Sequence, residues 1–311
     1  MAITPPEKDG TRLLYGCMAL GGSWDTDTYG PADVDEAEAA IAAALDSGID
    51  TFDHADIYRR GKAEAVFGEV MARTPGLRER IVLQTKCGIR LADGDLPGMY
   101  DLRGPSVVRR VEESLGRLRT DVIDVLLLHR PDPLAAPEDI AAALTSLRDQ
   151  GLVRRFGVSN MNAAQIAALQ RHLEFPLVAN QLEMSLDVLV NTAAAAGNGF
   201  PAGTLEYCHE NGVRVQAWGA LAQGRFTGRQ ESPEEHATAR LLRSLADSKG
   251  TTPETVLLWW LQRHPARVAP VVGSGRPERI RACRDAALRE PDLTHEEWYE
   301  LWIAARGAPL P

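Results

Sequence analysis

Four side chains in the first half of the sequence have the types and spacing to move a proton. Asp53 ends the run Gly48-Ile49-Asp50-Thr51-Phe52-Asp53, and Tyr58 follows five residues later, just ahead of Arg59-Arg60-Gly61. Lys86 closes Ile81-Val82-Leu83-Gln84-Thr85, and His129 closes Val125-Leu126-Leu127-Leu128. Each run is β-branched, aromatic or aliphatic enough to read as a strand. Polar residues at such ends are costly to bury without a purpose. Taken singly, each has a dull alternative: Asp53 a turn cap, Tyr58 a loop anchor, Lys86 a rim charge, His129 a core histidine. Together they suggest a proton-transfer site.

The elements that must position them alternate along the chain. A strand near Leu13–Gly16 leads to a bend at Gly21-Gly22. Asp33 to Ser47 has apolar residues at spacings of three and four (Val34, Ala37, Ile41, Leu45) and reads as a helix capped by Asp33, with Gly48 past its end. Lys62–Ala72 is the next helix. Leu91–Arg103 reads as a long loop, of the kind used as a lid or binding element. Ser106–Leu118 is a helix capped by Ser106, and Val122–Leu128 is a strand apolar enough for burial on both faces. Pro137–Gln150, Asn162–His172 and Leu205–Asn211 are helices between strands at Arg155–Val158, Leu177–Leu182 and Val213–Trp218. Asn191–Gly203, rich in Ala and Gly, reads as a mobile loop. A glycine-containing loop then leads to a helix at Pro253–Arg263 and a strand at Val268–Val272. Helices at Pro277–Ala287 and Thr294–Ala305 follow, the last with Thr294 and Glu297 as a capping box.

Eight strands alternating with helices imply parallel strands joined by right-handed crossovers. In about 300 residues they fit a single-domain α/β protein, a closed (β/α)8 TIM barrel spanning 1–311. The rival is an open doubly wound sheet. Its GxGxxG spacing is missing from Gly16-Cys17-Met18-Ala19-Leu20-Gly21. In such a barrel, chemistry gathers at the C-terminal strand ends. Asp53, Lys86, His129, Ser159, Asn160 and Gln181 all fall there.

Composition limits the function classes. The 311 residues are 44% hydrophobic and 25% charged, an ordinary globular balance. A net charge of −9 argues against a general nucleic-acid binder, while leaving room for a local basic pocket. There is no basic, then apolar, N-terminal signal and no stretch long enough to span a bilayer. The cysteines at 17, 87, 208 and 283 are widely spaced and read as free thiols of a cytoplasmic protein.

The motifs resemble the aldo-keto reductase family over nearly the whole chain. Asp53 and Tyr58, in Gly-Ile-Asp-Thr-Phe-Asp-His-Ala-Asp-Ile-Tyr, match its strand-two signature, and Lys86 and His129 match its third and fourth strand ends. Ser159, Asn160 and Gln181 match its nicotinamide-amide contacts. Trp218 lies where the family places an aromatic against the nicotinamide face. Gly219, Leu221, Gly224 and Arg225 resemble the segment that folds over the pyrophosphate. Gly273, Ser274, Gly275, Arg276 and Arg279 resemble the phosphate-binding segment at the start of a helix, where backbone N–H groups favour an anion. Gly16, Met18 and Trp24 match the first-strand segment beside cofactor and substrate. The chain departs from the family at Ala282 and Cys283, where Glu and Asn are common, and at Gly273, where many members carry Lys.

The resemblance implies reduction of an aldehyde or ketone by NADP(H), with a small-molecule carbonyl substrate and no metal. In that scheme Tyr58 is the proton donor. Its usual pKa is near ~10. Lys86 is expected to lower it, Asp53 to keep Lys86 charged, and His129 to orient the carbonyl oxygen. Trp24, Tyr58 and His129 would face the substrate. Two other classes stay open: a cofactor-sensing regulatory subunit on the same barrel, and a barrel lyase using Lys86 as a Schiff base.

Overall fold

The computed structural model describes residues 12–188, 203–228 and 232–309. Eight parallel strands close into a barrel: β1 Leu14–Gly16, β2 Thr51–Asp53, β3 Val82–Cys87, β4 Ile123–Leu128, β5 Val153–Ser159, β6 Leu177–Glu183, β7 Arg214–Trp218 and β8 Ala269–Val272. They pair in chain order. Closure comes from β1, which pairs with β2 at Gly16↔Asp53 and with β8 at Leu14↔Val271. Alternation within a strand separates its two faces. On β4, Val125 and Leu127 form a small cluster with Ala179, whereas Ile123, Leu126 and Leu128 join the main core. Both faces are buried, as the apolar run predicts.

The helices are α1 Pro31–Asp46, α2 Lys62–Arg73, α3 Gly104–Leu118, α4 Pro137–Asp149, α5 Ala163–Gln170, α6 Thr204–Glu210, α7 Pro233–Lys249, α8 Pro253–Gln262, α9 Pro277–Arg281, α10 Arg284–Leu288 and α11 His295–Arg306. A single helical turn, Leu77–Arg80, sits between α2 and β3. Helices α1 to α5 show the strand–helix alternation read from the sequence.

Several expectations need correction. Helix α7 stands where the sequence reading had only a loop. Its Ser232 cap, Pro233 and Glu235 capping box are all in place. Asp33 does not cap α1 from outside. It is the third residue of the helix, and its carboxylate accepts from the N–H of Gly30 at 2.8 Å. Ser106 likewise lies inside α3, whose cap is Arg103. The Leu91–Arg103 loop is partly ordered as a hairpin, in which Ile89–Arg90 pairs antiparallel with Met99–Tyr100. The helix expected over Pro277–Ala287 breaks at Ala282-Cys283 into α9 and α10. The predicted mobile loop at Asn191–Gly203 lies almost wholly outside the described residues. Thr294 and Glu297 cap α11 as read from the sequence.

Helices α7, α8 and α11 pack together, with α8 against β8 of the barrel. Trp260 of α8 and Trp298 of α11 stack at 4.6 Å and 8°, and each indole N–H donates to the other's backbone carbonyl at 2.9 Å. All four cysteines are free and buried. Among the described residues no helix is long and apolar enough to cross a membrane.

Candidate active site

Strand register brings the four proton-relay candidates together. Asp53 pairs with Gln84 between β2 and β3, and Lys86, two residues on, shares Gln84's face. The Lys86 ammonium donates to Asp53 Oδ2 at 2.7 Å, to the carbonyl of His54 at 2.9 Å and to the Tyr58 hydroxyl at 3.1 Å. These three acceptors use its three N–H groups. Asp53 and Lys86 are buried. Tyr58 and His129 face each other edge to face, with ring centroids 6.0 Å apart.

The loop carrying Tyr58 is held in an unusual shape. A 3-10 turn over Tyr58–Gly61 puts Arg59 and Arg60 at φ 50° and 57°, in the left-handed region. That conformation costs L-residues roughly 1–2 kcal/mol each. Arg59 offsets part of it by donating to the carbonyl of Met18 at 3.1 Å and lying 5.4 Å from the Trp24 ring centre. This contact also fixes Trp24 at the lip of the site. Met18 is about half exposed there.

Burial and charge set the protonation states. Burial works against the Lys86 ammonium, but Asp53 and Tyr58 outweigh it, so the pKa stands above its ordinary value. Burial raises Tyr58, Lys86 draws it down, and Asp53 pushes it up again. The net direction is upward, which corrects the expectation of a lowered phenol. Lys86 acts in the predicted sense, but desolvation is larger. His129 is held well below its ordinary value by burial, then by Lys86 and Arg130, so the imidazole is neutral. Its Nδ1 is buried with no hydrogen-bond partner, which favours the tautomer with the proton on Nε2.

A chain of amides crosses the barrel beneath this group; of its three glutamines the sequence reading names Gln181 as a site residue but neither Gln84 nor Gln216. Gln84 donates to Asp53 Oδ1 at 2.6 Å and to Gln216 at 2.8 Å; Gln216 donates back to Gln84 at 2.9 Å, and Gln181 donates to Gln216 at 2.9 Å. The signal was available: Gln84 precedes Lys86 by two and Gln216 precedes Trp218 by two, so each shares the inward face of a site residue.

Ser159, Asn160 and Gln181 also meet. The Ser159 hydroxyl donates to the carbonyl of Gln181 at 2.9 Å, and the Asn160 amide donates to Ser159 at 2.7 Å and to the carbonyl of His129 at 3.3 Å. Trp218 donates to the Asn160 amide oxygen at 3.3 Å. Gly273 and Gly275 lie beside β1: a Cβ built on Gly273 would stand 3.6 Å from the Gly16 carbonyl, and one on Gly275 would stand 3.7 Å from Ala19. Arg276 and Arg279 are exposed at the start of α9, with no salt bridge among the described residues. Side-chain-free backbone flanked by two free guanidinium groups fits a nucleotide phosphate. Leu221 packs against the core, and Gly219 and Gly224 take positive φ in the same segment. Arg225 is engaged differently from the expectation. It pairs with Asp187 at 2.7 Å and with Glu235 at 2.5 Å, tying the loop after β7 to the loop after β6 and to α7. Cys283 is buried in the core and does not take the place of a polar contact.

Adjacent Asp53 and His54 point apart, His54 lying edge-on to Phe67 at 4.6 Å. Among the described residues no group of three or more His, Cys, Asp or Glu side chains could hold a metal ion.

Comparison with known proteins places this arrangement. The family model described as the aldo/keto reductase family matches residues 12–303. The chain belongs to the aldo-keto reductase family. It is 39% identical over 304 residues to a Bacillus subtilis protein named an uncharacterized oxidoreductase, covering 96% of this chain and 97% of that one. It is 37% identical to a 6-dehydroglucose reductase of Agrobacterium fabrum, over 96% of this chain and 95% of that protein. Among solved structures, an aldo/keto reductase from Klebsiella pneumoniae in complex with NADP and acetate aligns at a TM-score of 0.71 and 25% identity, over 96% of this chain and 93% of that chain. The glycerol dehydrogenase of Gluconobacter oxydans aligns at 0.82 and 24% identity, over 96% and 94%, and supports the fold alone. The (β/α)8 barrel and the oxidoreductase family of this chain are thereby established.

Proposed function

We propose that this aldo-keto reductase reduces an aldehyde or ketone to an alcohol with NADP(H), and that Tyr58 delivers the proton. The observation that carries the proposal is the Lys86 ammonium held at once by Asp53 and Tyr58, with neutral His129 facing the same phenol. When bound, the cofactor supplies the hydride to the carbonyl carbon. Negative charge then grows on the oxygen, and this chain's own residues answer it. Tyr58 gives its hydroxyl proton to that oxygen. Lys86 stabilises the tyrosinate left behind, and Asp53 keeps Lys86 charged and aimed. His129 donates a hydrogen bond from Nε2, orienting the oxygen before it takes the proton. Gln84 and Gln216 lock Asp53 in place.

Ser159, Asn160 and Gln181 would hold the nicotinamide amide and Trp218 its ring face. Gly219, Leu221, Gly224 and Arg225 would border the pyrophosphate, and Gly16 and Met18 would lie beside cofactor and substrate. Gly273, Ser274, Gly275, Arg276 and Arg279 would take the nucleotide phosphate, the two arginines selecting NADPH over NADH. Residues 1–311 act as one barrel domain. Relatives named as reductases support a catalytic role over a regulatory one. The test is NADPH oxidation, followed by absorbance, against a panel of activated aldehydes and ketones. Turnover with one or more of them is expected. Tight NADPH binding with no turnover on any would favour a cofactor-sensing role instead.

A further inference from the structure

We infer that Arg130 determines specificity, selecting carbonyl substrates that carry an oxygen function on the carbon next to the reacting one. The inference rests on the reductase reading above and deepens it.

Arg130 directly follows His129 at the end of β4. Its guanidinium carbon lies 5.8 Å from the ring centre of Trp218, at the end of β7. Strands β5 and β6 stand between those two in the barrel, so the side chain reaches across the mouth. It sits over the residues that frame the reacting centre. Its charge is felt at His129 on one side and at Glu183, the last residue of β6, on the other.

The side chain is half-buried, yet it makes no hydrogen bond or ion pair among the described residues. Several other arginines around the strand ends are engaged. Arg59 is held by Met18 and Trp24, Arg60 by Asp27, and Arg225 by Asp187 and Glu235. Arg110 and Arg117 serve acids behind the Tyr58 loop. Arg130 therefore presents five N–H donors in a rigid fork, part-desolvated and unspent. A fork of this kind is best satisfied by a pair of oxygen acceptors. With the guanidinium at Trp218 and its charge felt at His129, a carbonyl oxygen held at His129 would turn the adjacent carbon's oxygens towards the arginine. A 2-hydroxy group or a carboxylate supplies such oxygens. The Trp218 ring gives the fork a flat support that a simple hydrocarbon substrate would leave unused.

The test compares kcat/KM for propanal, glyceraldehyde and glyoxylate, with NADPH, in the wild type and in Arg130→Met. An oxygen beside the carbonyl makes any aldehyde more electrophilic, so the wild-type ratio alone decides nothing. The effect of the substitution on that ratio cancels the intrinsic reactivity. We expect Arg130→Met to lower kcat/KM about ten- to a hundredfold on glyceraldehyde or glyoxylate, the scale of a lost charged hydrogen bond. Propanal should change by less than about threefold, which also reports that the variant is folded. Arg130→Lys, charged but without the fork, should fall between the two. A larger loss on glyoxylate assigns the anion, and a larger loss on glyceraldehyde assigns the hydroxyl. Equal losses on all three substrates, or none, would overturn the inference while leaving the reductase reading intact. No turnover of glyceraldehyde or glyoxylate by a wild type that reduces other carbonyls would also overturn the inference, whereas no turnover of any carbonyl in the panel above would fail the reductase reading itself.

Discussion

At the scale of single residues, Tyr58 is the least ordinary group. Burial outweighs Lys86, so the phenol stays protonated, and in the proposed mechanism Lys86 stabilises the anion left after transfer. Reduction needs protonated Tyr58 and should slow as pH rises through the apparent pKa. Alcohol oxidation needs the tyrosinate and should quicken. That pKa belongs to the coupled Tyr58–Lys86–His129 group. Lys86→Met removes the one neighbour that draws Tyr58 down, so the oxidative limb should move to higher pH, with a large loss of rate. Unmoved pH-rate profiles would separate Lys86 from the proton step. A second residue-scale case is Asp56, between Asp53 and Tyr58. Its carboxylate is buried, accepts no hydrogen bond of ordinary geometry, and has Arg110 3.8 Å away. Burial, with Glu64 nearby, raises its pKa from 3.8 to about 7. Folded Asp56 thus holds its proton where the unfolded chain has lost it, so it costs stability as pH rises through that window. His54 works the other way. Burial, then Lys86, lowers it to about 3, so stability rises with pH up to its ordinary value of 6.5. Asp56→Asn should therefore gain stability over the wild type from about pH 4 to about pH 7, with no further gain above that. Denaturant melts across pH would show this, and a constant difference would contradict it. The sequence revealed that these acids exist near the site. It could not reveal which carboxylate finds a cation and which is stranded, because that depends on α2 and α3 packing behind the loop.

At the scale of elements, α2 and α3 set the height of the Tyr58 loop. Glu64 of α2 accepts from Arg117 of α3 at 2.7 Å and from Thr85 of β3 at 2.6 Å. The helices approach closely at Gly68. A Cβ built there would lie 2.3 Å from the carbonyl oxygen of Arg117 and 2.8 Å from the backbone of Leu118. Helix propensity alone favours Ala over Gly by about 1 kcal/mol. The clash is with backbone, which cannot rotate away, and overpacking costs about 1–3 kcal/mol. Gly68→Ala should therefore destabilise the protein, read as a lower denaturation midpoint. A raised midpoint would show that the helices can part freely. The strand–helix alternation was legible because parallel strands are apolar runs and the helices between them keep a regular stripe. Helix α7 was missed because its buried residues, such as Leu242 and Leu245, are diluted by charge at Glu234, Arg240, Arg243 and Asp247. It packs on α8, which follows at once, and on α11, much further on at His295–Arg306, so a local window shows only part of what it packs against.

At the scale of the whole molecule, barrel closure turns separated strand ends into one site. Asp53, Lys86 and His129 were legible because each ends an apolar run, and the barrel rule puts such ends on one face. The Gln84–Gln216–Gln181 chain was legible only in part: spacing puts its members on inward faces, but that these amides meet follows from β3, β6 and β7 facing one another across the closed barrel. A net charge of −9 repels an anionic cofactor at long range. In the proposed reading, local cations such as Arg276 and Arg279 hold it once it arrives. The central claim joins these scales: the barrel exists to present Tyr58's proton to a bound carbonyl. The measurement that tests it most directly is carbonyl reduction by Tyr58→Phe, run beside a titration of NADPH binding. The phenyl ring keeps the packing against His129 and removes only the hydroxyl. The account predicts a fall in kcat of at least ~10² with NADPH affinity unchanged to within about twofold. Turnover close to that of the wild type, with cofactor bound equally well, would contradict it.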